Sequence, residues 1–495
     1  MTPHDALRRA DWRWLLPTPR VGRALCLADG AVAESVAAAG AALAERVERR
    51  RGGERVADEA AFDLVVTSDL QRATLETATT ALGPGGTLVA VLARDAHDAC
   101  RRLARAPAFA FHDVRAAVPW PSPDDARAWL PLDGGGARYF LRDRPLAARH
   151  PARRVLLRVR GALDHATLRA RGAVVVARRG DDAAPWWTRV AGAADGDWML
   201  LAPSRRVESR VLGMTLGRDG RPDAVVKLSR TPDSARRMAT GAAVLERLHA
   251  AGLSAARMAP SPLGAVRDGD VLVATLESAV DGVPLDAAVR RRTLVPRLEE
   301  MTDWLITLAR ATRGAERADT WARVFAPTVE RFTDACGATL DRALLDVSVA
   351  MLAAAGPQPT VLEHHDFRPW NVYALRDGAL AAFDWDNARV DGLPGLDLLH
   401  GMTTLAFALD GAYRGGRLAE SRRRQERGAV GAARRGCVAR YVDAVGMTRD
   451  AFRAVQAFAW MARAADDALA LPTLGRQPFV ELWDAEARLA LSGRV

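Results

Sequence analysis

Lysine is all but missing from this chain. Of its 70 basic residues only Lys227 is a lysine, and every other one is arginine. Cysteine is scarce as well: Cys26, Cys100, Cys336 and Cys437 stand far apart with no CxxC pair, which excludes a zinc site or a disulfide framework. No run approaches the roughly 20 consecutive apolar residues of a membrane span. The opening MTPHDALRRADWRW lacks the apolar core of a signal peptide, so a cytoplasmic protein with free thiols is expected. Low-complexity tracts and internal repeats are absent too. What is there is ordinary globular material, 49% hydrophobic and 26% charged, at a length of 495 residues that suggests two or three folding units.

The formal net charge of +10 raises the question of nucleic acid. The arginines are spread along the chain among acids, and no recognition motif accompanies them. The densest cluster, Arg422 to Arg424 in RGGRLAESRRRQERG, has no interleaved aromatics and reads as a solvated loop or helix face. No nucleic-acid partner is expected.

The first part alternates strands and helices. ALCLA (24–28), FDLVV (62–66) and the run after the GPGG turn in LGPGGTLVAVL (82–92) read as buried strands. An alanine-rich helix is expected from the first of these through about Glu48, and another from about Asp69. RVLLRVRG (154–161) and AVVVARR (173–179) read as further strands. Such alternation predicts a mostly parallel sheet covered by helices, with a domain boundary near residue 200. Beyond it the pattern changes. RVLGMTLG passes through RDGRPD into AVVKLS, a hairpin turning at Asp219-Gly220, with Ala224, Val226 and Leu228 on one face and Val225, Lys227 and Ser229 on the other. A helix over about 233–250 and a strand at VLVATLES (271–278) follow. From about 285 most segments read as amphipathic helices.

The exception is VLEHHDFRPWNVYALRDGALAAFDWDNA, residues 361–388. Arg376-Asp377-Gly378 between two apolar runs predicts a hairpin. Asn371 begins its first strand and Asp384 follows its second, so both lie at the open end, where an amide oxygen and a carboxylate can share a hard cation such as Mg²⁺. Asp366 precedes Asn371 by five residues, on the loop entering the hairpin. Singly, each of these residues is explained as well by turn capping or packing, as are His364, His365, Trp370 and Trp385. Together, a strand lysine, an Asp-x4-Asn loop and an Asp beyond a hairpin make up the parts of a phosphoryl-transfer site. The lone Lys227 is either a survivor of coding bias or a point charge that a bulky guanidinium could not replace.

HHDFRPWNV followed by AFDWDNARVDGLPGLDLL resembles the aminoglycoside phosphotransferase-like kinases, whose signature is H-x-D-x4-N, a hairpin and (I/F)-D-W. The resemblance covers about residues 205–495. It implies an α+β bilobal protein-kinase-like domain, with a strand-rich lobe at 201–280 and a mostly helical lobe at 281–495. It implies ATP and Mg²⁺ as cofactors and a small-molecule hydroxyl as acceptor. Asp366 becomes the catalytic base, with His364 bracing the loop and Asp397 steadying it. Asn371 and Asp384 become metal ligands, and Lys227 holds nucleotide phosphates. Glu277, Ser278 and Ala279 form the hinge against adenine. The family's helix glutamate falls near Gly241, leaving Glu246 as the nearby acid to pair with Lys227. LGMTLGRDG is not a Gly-x-Gly-x-x-Gly cradle. His365 replaces the family's glycine, a harmless change only if the backbone there is not left-handed.

Within residues 1–200, AAFDLVVTSDLQRATLETATTALGPGGTLVAVL resembles the later half of a class I methyltransferase, implying an α/β Rossmann-like domain. An S-adenosylmethionine site needs a glycine-rich turn after the first strand. Here that turn reads ALCLADGAVAES, with Gly30 alone, and no acid ending the second strand is identifiable. A degenerate domain used for docking or substrate presentation is therefore expected. Two functions remain open: a small-molecule phosphotransferase, or an inactive scaffold in a biosynthetic complex.

Overall fold

The structure, a computed structural model, describes residues 3–50, 62–94, 96–105, 109–122, 125–143, 151–193, 196–202, 209–470 and 475–493. The chain divides into two compact units, Met1–Ala239 with Pro262–Ala279, and Thr240–Ser261 with Val280–Val495.

The first unit is organised by one sheet of twelve strands. They are β1 (Val21–Cys26), β2 (Ala44–Arg49), β3 (Phe62–Thr67), β4 (Leu82–Arg94), β5 (Asp113–Trp120), β6 (Ala128–Pro131), β7 (Arg171–Arg178), β8 (Trp198–Leu201), β9 (Val211–Leu216), β10 (Pro222–Leu228), β11 (Pro262–Asp268) and β12 (Val271–Ser278). The spatial order is β11-β12-β10-β9-β8-β6-β5-β7-β4-β3-β1-β2. The pairs β1–β2, β1–β3 and β3–β4 are parallel, while β7 runs antiparallel to both β4 and β5. Strand alternation sends Leu64 and Val66 into one core layer and Val65 into another, so both faces of the sheet are covered.

The boundary expected near residue 200 falls inside this sheet. β8 and β9 pair antiparallel, with Trp198 opposite Thr215 and Leu201 opposite Leu212. Val226 and Leu228 of β10 share a core with Trp12, Trp14 and Trp187. Gly213 of β9 is small for a reason: a Cβ there would lie 2.6 Å from the Trp187 ring. Arg230, three residues beyond Lys227, donates from Nε to Asp11 Oδ1 at 2.9 Å, and both side chains are fully buried.

Three expectations are corrected. RVLLRVRG is not a strand but part of the helix Pro151–Thr167, because its large apolar residues recur at intervals of three and four. The alanine-rich helix ends at Ala39, where Gly40 takes φ 39°, and a short turn leads into β2, which begins at Ala44. LGMTLGRDG, by contrast, forms the β9–β10 hairpin as expected at Asp219-Gly220, closed by a Gly220 N–H to Gly217 carbonyl bond of 2.9 Å. Of the arginine cluster, Arg422 is buried rather than solvated; its guanidinium meets Glu486, with Nη2–Oε2 at 3.0 Å.

The second unit is mostly helical. Leu294–Thr312 buries Leu298, Met301, Leu305 and Leu308, one stripe at helical spacing, in a core that also holds Phe332, Phe452 and Trp483. Its small sheet joins Gly282–Pro284 to the hairpin Val372–Leu375 and Leu380–Ala382. The four cysteines are free.

Candidate active site

Lys227 lies on β10 opposite Thr275 of β12, with Val225 opposite Glu277. Residues two apart on a strand share a face, so Glu277 is a diagonal neighbour of Lys227. Lys227 Nζ stands 2.9 Å from Glu277 Oε2, and the residues are only 3% and 5% exposed. A charge this buried needs its partner, so the lone lysine sits where its ammonium is compensated from the neighbouring strand. The sequence reading assigned that role to Glu246, which is exposed, and gave Glu277 to the hinge. At Gly241, where the family's helix glutamate would fall, a side chain would press on Asp386 and force it to shift. A Cβ there would lie 2.5 Å from Asp386 Oδ1. At the expected hinge, Ser278 pairs opposite Ala224, and the Ala279 N–H donates to the Asp223 carbonyl at 2.8 Å. The segment between β8 and β9 lies outside the described residues at 203–208.

In the second unit the strand Val361–Glu363 feeds the loop that carries Asp366, and the hairpin follows. Its turn closes by a Leu375 N–H to Ala379 carbonyl bond of 2.8 Å, with Gly378 at φ 90°. At the other end the Phe383 N–H donates to the Asn371 carbonyl at 3.1 Å. The ladder thus sets Asn371 one residue from Asp384 at the open end. Asp384 is half-buried at φ 69°, ψ 57°, a left-handed conformation that aspartate tolerates better than most residues.

Asp366 is gripped at both carboxylate oxygens. Oδ1 lies 2.8 Å from Arg368 Nε and 3.9 Å from Arg463 Nη1. Oδ2 accepts from Asn371 Nδ2 at 2.9 Å, and the same nitrogen donates to the Asp366 carbonyl at 3.0 Å. With its amide nitrogen spent this way, Asn371 presents Oδ1 as its remaining ligand atom.

His364 is buried and braces the loop through both ring nitrogens. Nε2 donates to the Phe383 carbonyl at 2.8 Å, and Nδ1 accepts the Asp366 N–H at 3.3 Å. The ring packs against Trp385, 4.5 Å between centroids. A histidine with both nitrogens engaged by backbone positions the loop rather than moving protons. His365 takes φ 62°, so the backbone is left-handed where the family has glycine, and a side chain there carries strain. Asp397, in the first turn of the helix Leu396–Asp410, accepts the N–H groups of His364 at 2.6 Å and His365 at 3.1 Å. Arg463, 98 residues further along the chain, donates to the His365 carbonyl. The strained peptide is therefore held from both sides.

Burial dominates the titration of this cluster. Desolvation, and then the neighbouring Glu363 carboxylate, push the Asp397 carboxyl up to about 7. Burial likewise raises Glu363 to about 7. Burial, then the Arg389, Arg463 and Arg368 guanidiniums, bring His365 down to about 3. Behind the loop a cavity of about 10 Å³, lined in part by Glu363, Asp397 and Tyr441, is no larger than a water molecule.

Mg²⁺ fits the donors present. Asn371 Oδ1 and the Asp384 carboxylate are hard oxygens, and Mg²⁺ characteristically takes few protein ligands beside water and phosphate oxygens. Among the described residues no group of three or more His, Cys, Asp or Glu is placed to hold a metal by itself. Arg463, Arg368 and Glu363 are the members of this site that sequence reasoning did not name. Arg368 and Glu363 flank the motif and were legible as charges beside it, whereas nothing local marks Arg463.

Residues 203–432 match the model of the phosphotransferase enzyme family. The enzyme class this indicates is a phosphotransferase acting on hydroxyl groups. No curated protein matches the chain. Among solved structures it is similar to a thermostable mutant of aminoglycoside phosphotransferase APH(4)-Ia in ternary complex with ADP and hygromycin B. That pair shares 16% identity over 61% of this chain and 97% of the other, at a TM-score of 0.41. APH(3'')-Id from Streptomyces rimosus is 16% identical over 61% and 97%, with a TM-score of 0.31. A glucosamine kinase is 16% identical over 55% and 75%, with a TM-score of 0.35. These likenesses are distant.

Proposed function

We propose that this chain transfers the γ-phosphoryl group of ATP, with Mg²⁺, to a hydroxyl of a small molecule such as a sugar, polyol, aminoglycoside-like compound or natural-product intermediate. The observation that carries this reading is the grip on Asp366. Arg368 and Asn371 hold its two oxygens, so the carboxylate is preoriented to accept the proton of an acceptor hydroxyl. Mg²⁺, when bound, neutralises charge on the phosphates, and Asn371 and Asp384 would hold it. Lys227, kept in place by Glu277, would supply a further positive charge to phosphate oxygens. His364, Asp397 and Arg463 hold the loop backbone. The arginines beside Asp366 do not resemble a pocket for a polycation, which favours neutral or anionic acceptors over aminoglycosides.

For the first unit we read the residues before β8 as a Rossmann-like domain without methyl transfer. The four parallel strands β2-β1-β3-β4 support the fold. The turn after β1, Leu27-Ala28-Asp29-Gly30, carries a single glycine, which argues against an S-adenosylmethionine site. Its continuity with β9 to β12 supports a structural role.

Calorimetric titration of ATP, with and without Mg²⁺, into wild type, Lys227→Arg and Asp384→Asn tests the proposal. Metal-dependent binding lost in both variants is the expected result. Absence of binding by folded wild type would overturn it in favour of an inactive scaffold.

A further inference from the structure

The helix Pro151–Thr167 shows solvent a face that proteins ordinarily bury. Val155, Leu156, Val159 and Leu163 are 61%, 67%, 53% and 63% exposed. At about 100° per residue these four fall within one sector of roughly 100°, which Ala162 widens slightly and Ala166 falls inside, without a polar interruption. The opposite side is the seated one. Gly161 lies so close to the chain that a Cβ would come 1.9 Å from the Leu141 carbonyl oxygen, and Leu168 just beyond the helix is buried.

Charge is arranged around this stripe. Arg158 and Arg160, both exposed, fall at its two edges. The helix sequence holds Arg153, Arg154, Arg158 and Arg160 against a single acid. That acid, Asp164, is turned to the seated side, where Arg171 donates to it at 2.7 Å. An apolar sector edged on both sides by long cationic side chains is the arrangement of a helix lying in a membrane interface. The apolar side chains enter the acyl boundary while the guanidiniums reach back to phosphates. A second copy of the same helix would bring arginine edges together and is disfavoured. Among the described residues no helix is long and apolar enough to cross a bilayer, so the attachment is to its surface.

We propose that this chain binds the surface of anionic lipid membranes through the exposed stripe of Pro151–Thr167. The inference is independent of the phosphotransferase reading. The test is cosedimentation of the full chain with phosphatidylcholine vesicles, with or without phosphatidylglycerol. The double variants Leu156→Gln with Leu163→Gln and Arg158→Gln with Arg160→Gln are compared, each first shown to melt as wild type does. Binding is expected to the anionic vesicles alone and to weaken with salt. Loss of the two arginines should weaken it about 30-fold, and loss of the two leucines at least as much. Failure of wild type to sediment with anionic vesicles overturns the proposal, as does unchanged binding by either variant. Concentration-dependent dimerisation that the leucine variant abolishes, without vesicle binding, would assign the stripe to self-association instead.

Discussion

Lys227 and Asp366 are held by opposite constructions. Lys227 is compensated across a sheet, by Glu277 on a strand 50 residues on, in a unit whose core is shared with residues near the start of the chain. Asp366 is held mainly from within its own loop, by Arg368 two residues away and Asn371 five away. The first arrangement depends on the whole sheet, the second on a short motif with one distant brace. The difference teaches that a chemical group can be conspicuous in sequence while the part that makes it tenable is not.

The comparison breaks most visibly under truncation. A chain begun at residue 203, where the family match starts, removes β8, Asp11 and most of the tryptophan core. It should lose the cooperative melting transition of the first unit altogether, as calorimetry would register. Asp366→Asn should lower phosphoryl transfer by about 10² to 10⁴-fold while leaving Mg²⁺-dependent ATP binding intact. Equal loss of binding would mean that the loop, not the base, had been damaged.

Glu277→Gln should destabilise the protein by about 3–5 kcal/mol, because a buried ammonium loses the carboxylate that stands 2.9 Å from it. The double variant Lys227→Met with Glu277→Leu should be markedly more stable than either single one. A double variant no better than the singles would deny that the two groups are coupled. Arg463→Gln should cost about 1.5–3 kcal/mol of loop stability, the worth of a hydrogen bond from a charged group. Hydrogen exchange across 361–371 would show it. Adding His365→Gly should recover part of the loss by relaxing the left-handed peptide.

Alone, His365→Gly should raise stability by up to about 1 kcal/mol, the smallest effect expected. It also has a signature in pH. The imidazole is depressed in the folded state to about 3. Its contribution is present above the ordinary histidine value and is lost as pH falls through the window from about 6.5 towards 3. The fall in melting temperature over that window should be shallower in the variant. Asp397 and Glu363 act in the opposite sense: their raised values favour the fold at low pH and lose that contribution as pH rises towards 7.

The hairpin from Val372 to Ala382 was legible because an Asp-Gly turn and two apolar runs are local signals. The relation of Asn371 to Asp384 followed from pairing alone. The left-handed state of His365 was posed as a condition and is met unfavourably. Less legible was RVLLRVRG, whose apolar residues suit a strand or a helix at that length, and whose exposed stripe no burial pattern would predict. The sheet joining residue 201 to residue 211 was not legible at all. Its strands are short, and pairing between them is chosen by distant neighbours rather than by either strand.

By itself the sequence determined the loop that carries Asp366, the hairpin and the single ammonium, because spacing along a chain and turn chemistry act within a few residues. Only the tertiary structure decided what compensates that ammonium, what holds the strained His365 peptide, and where the first unit ends. Those outcomes rest on burial, and burial is fixed by which distant segments arrive together: Glu277 beside Lys227, Arg463 at the His365 carbonyl, and Asp11 against Arg230.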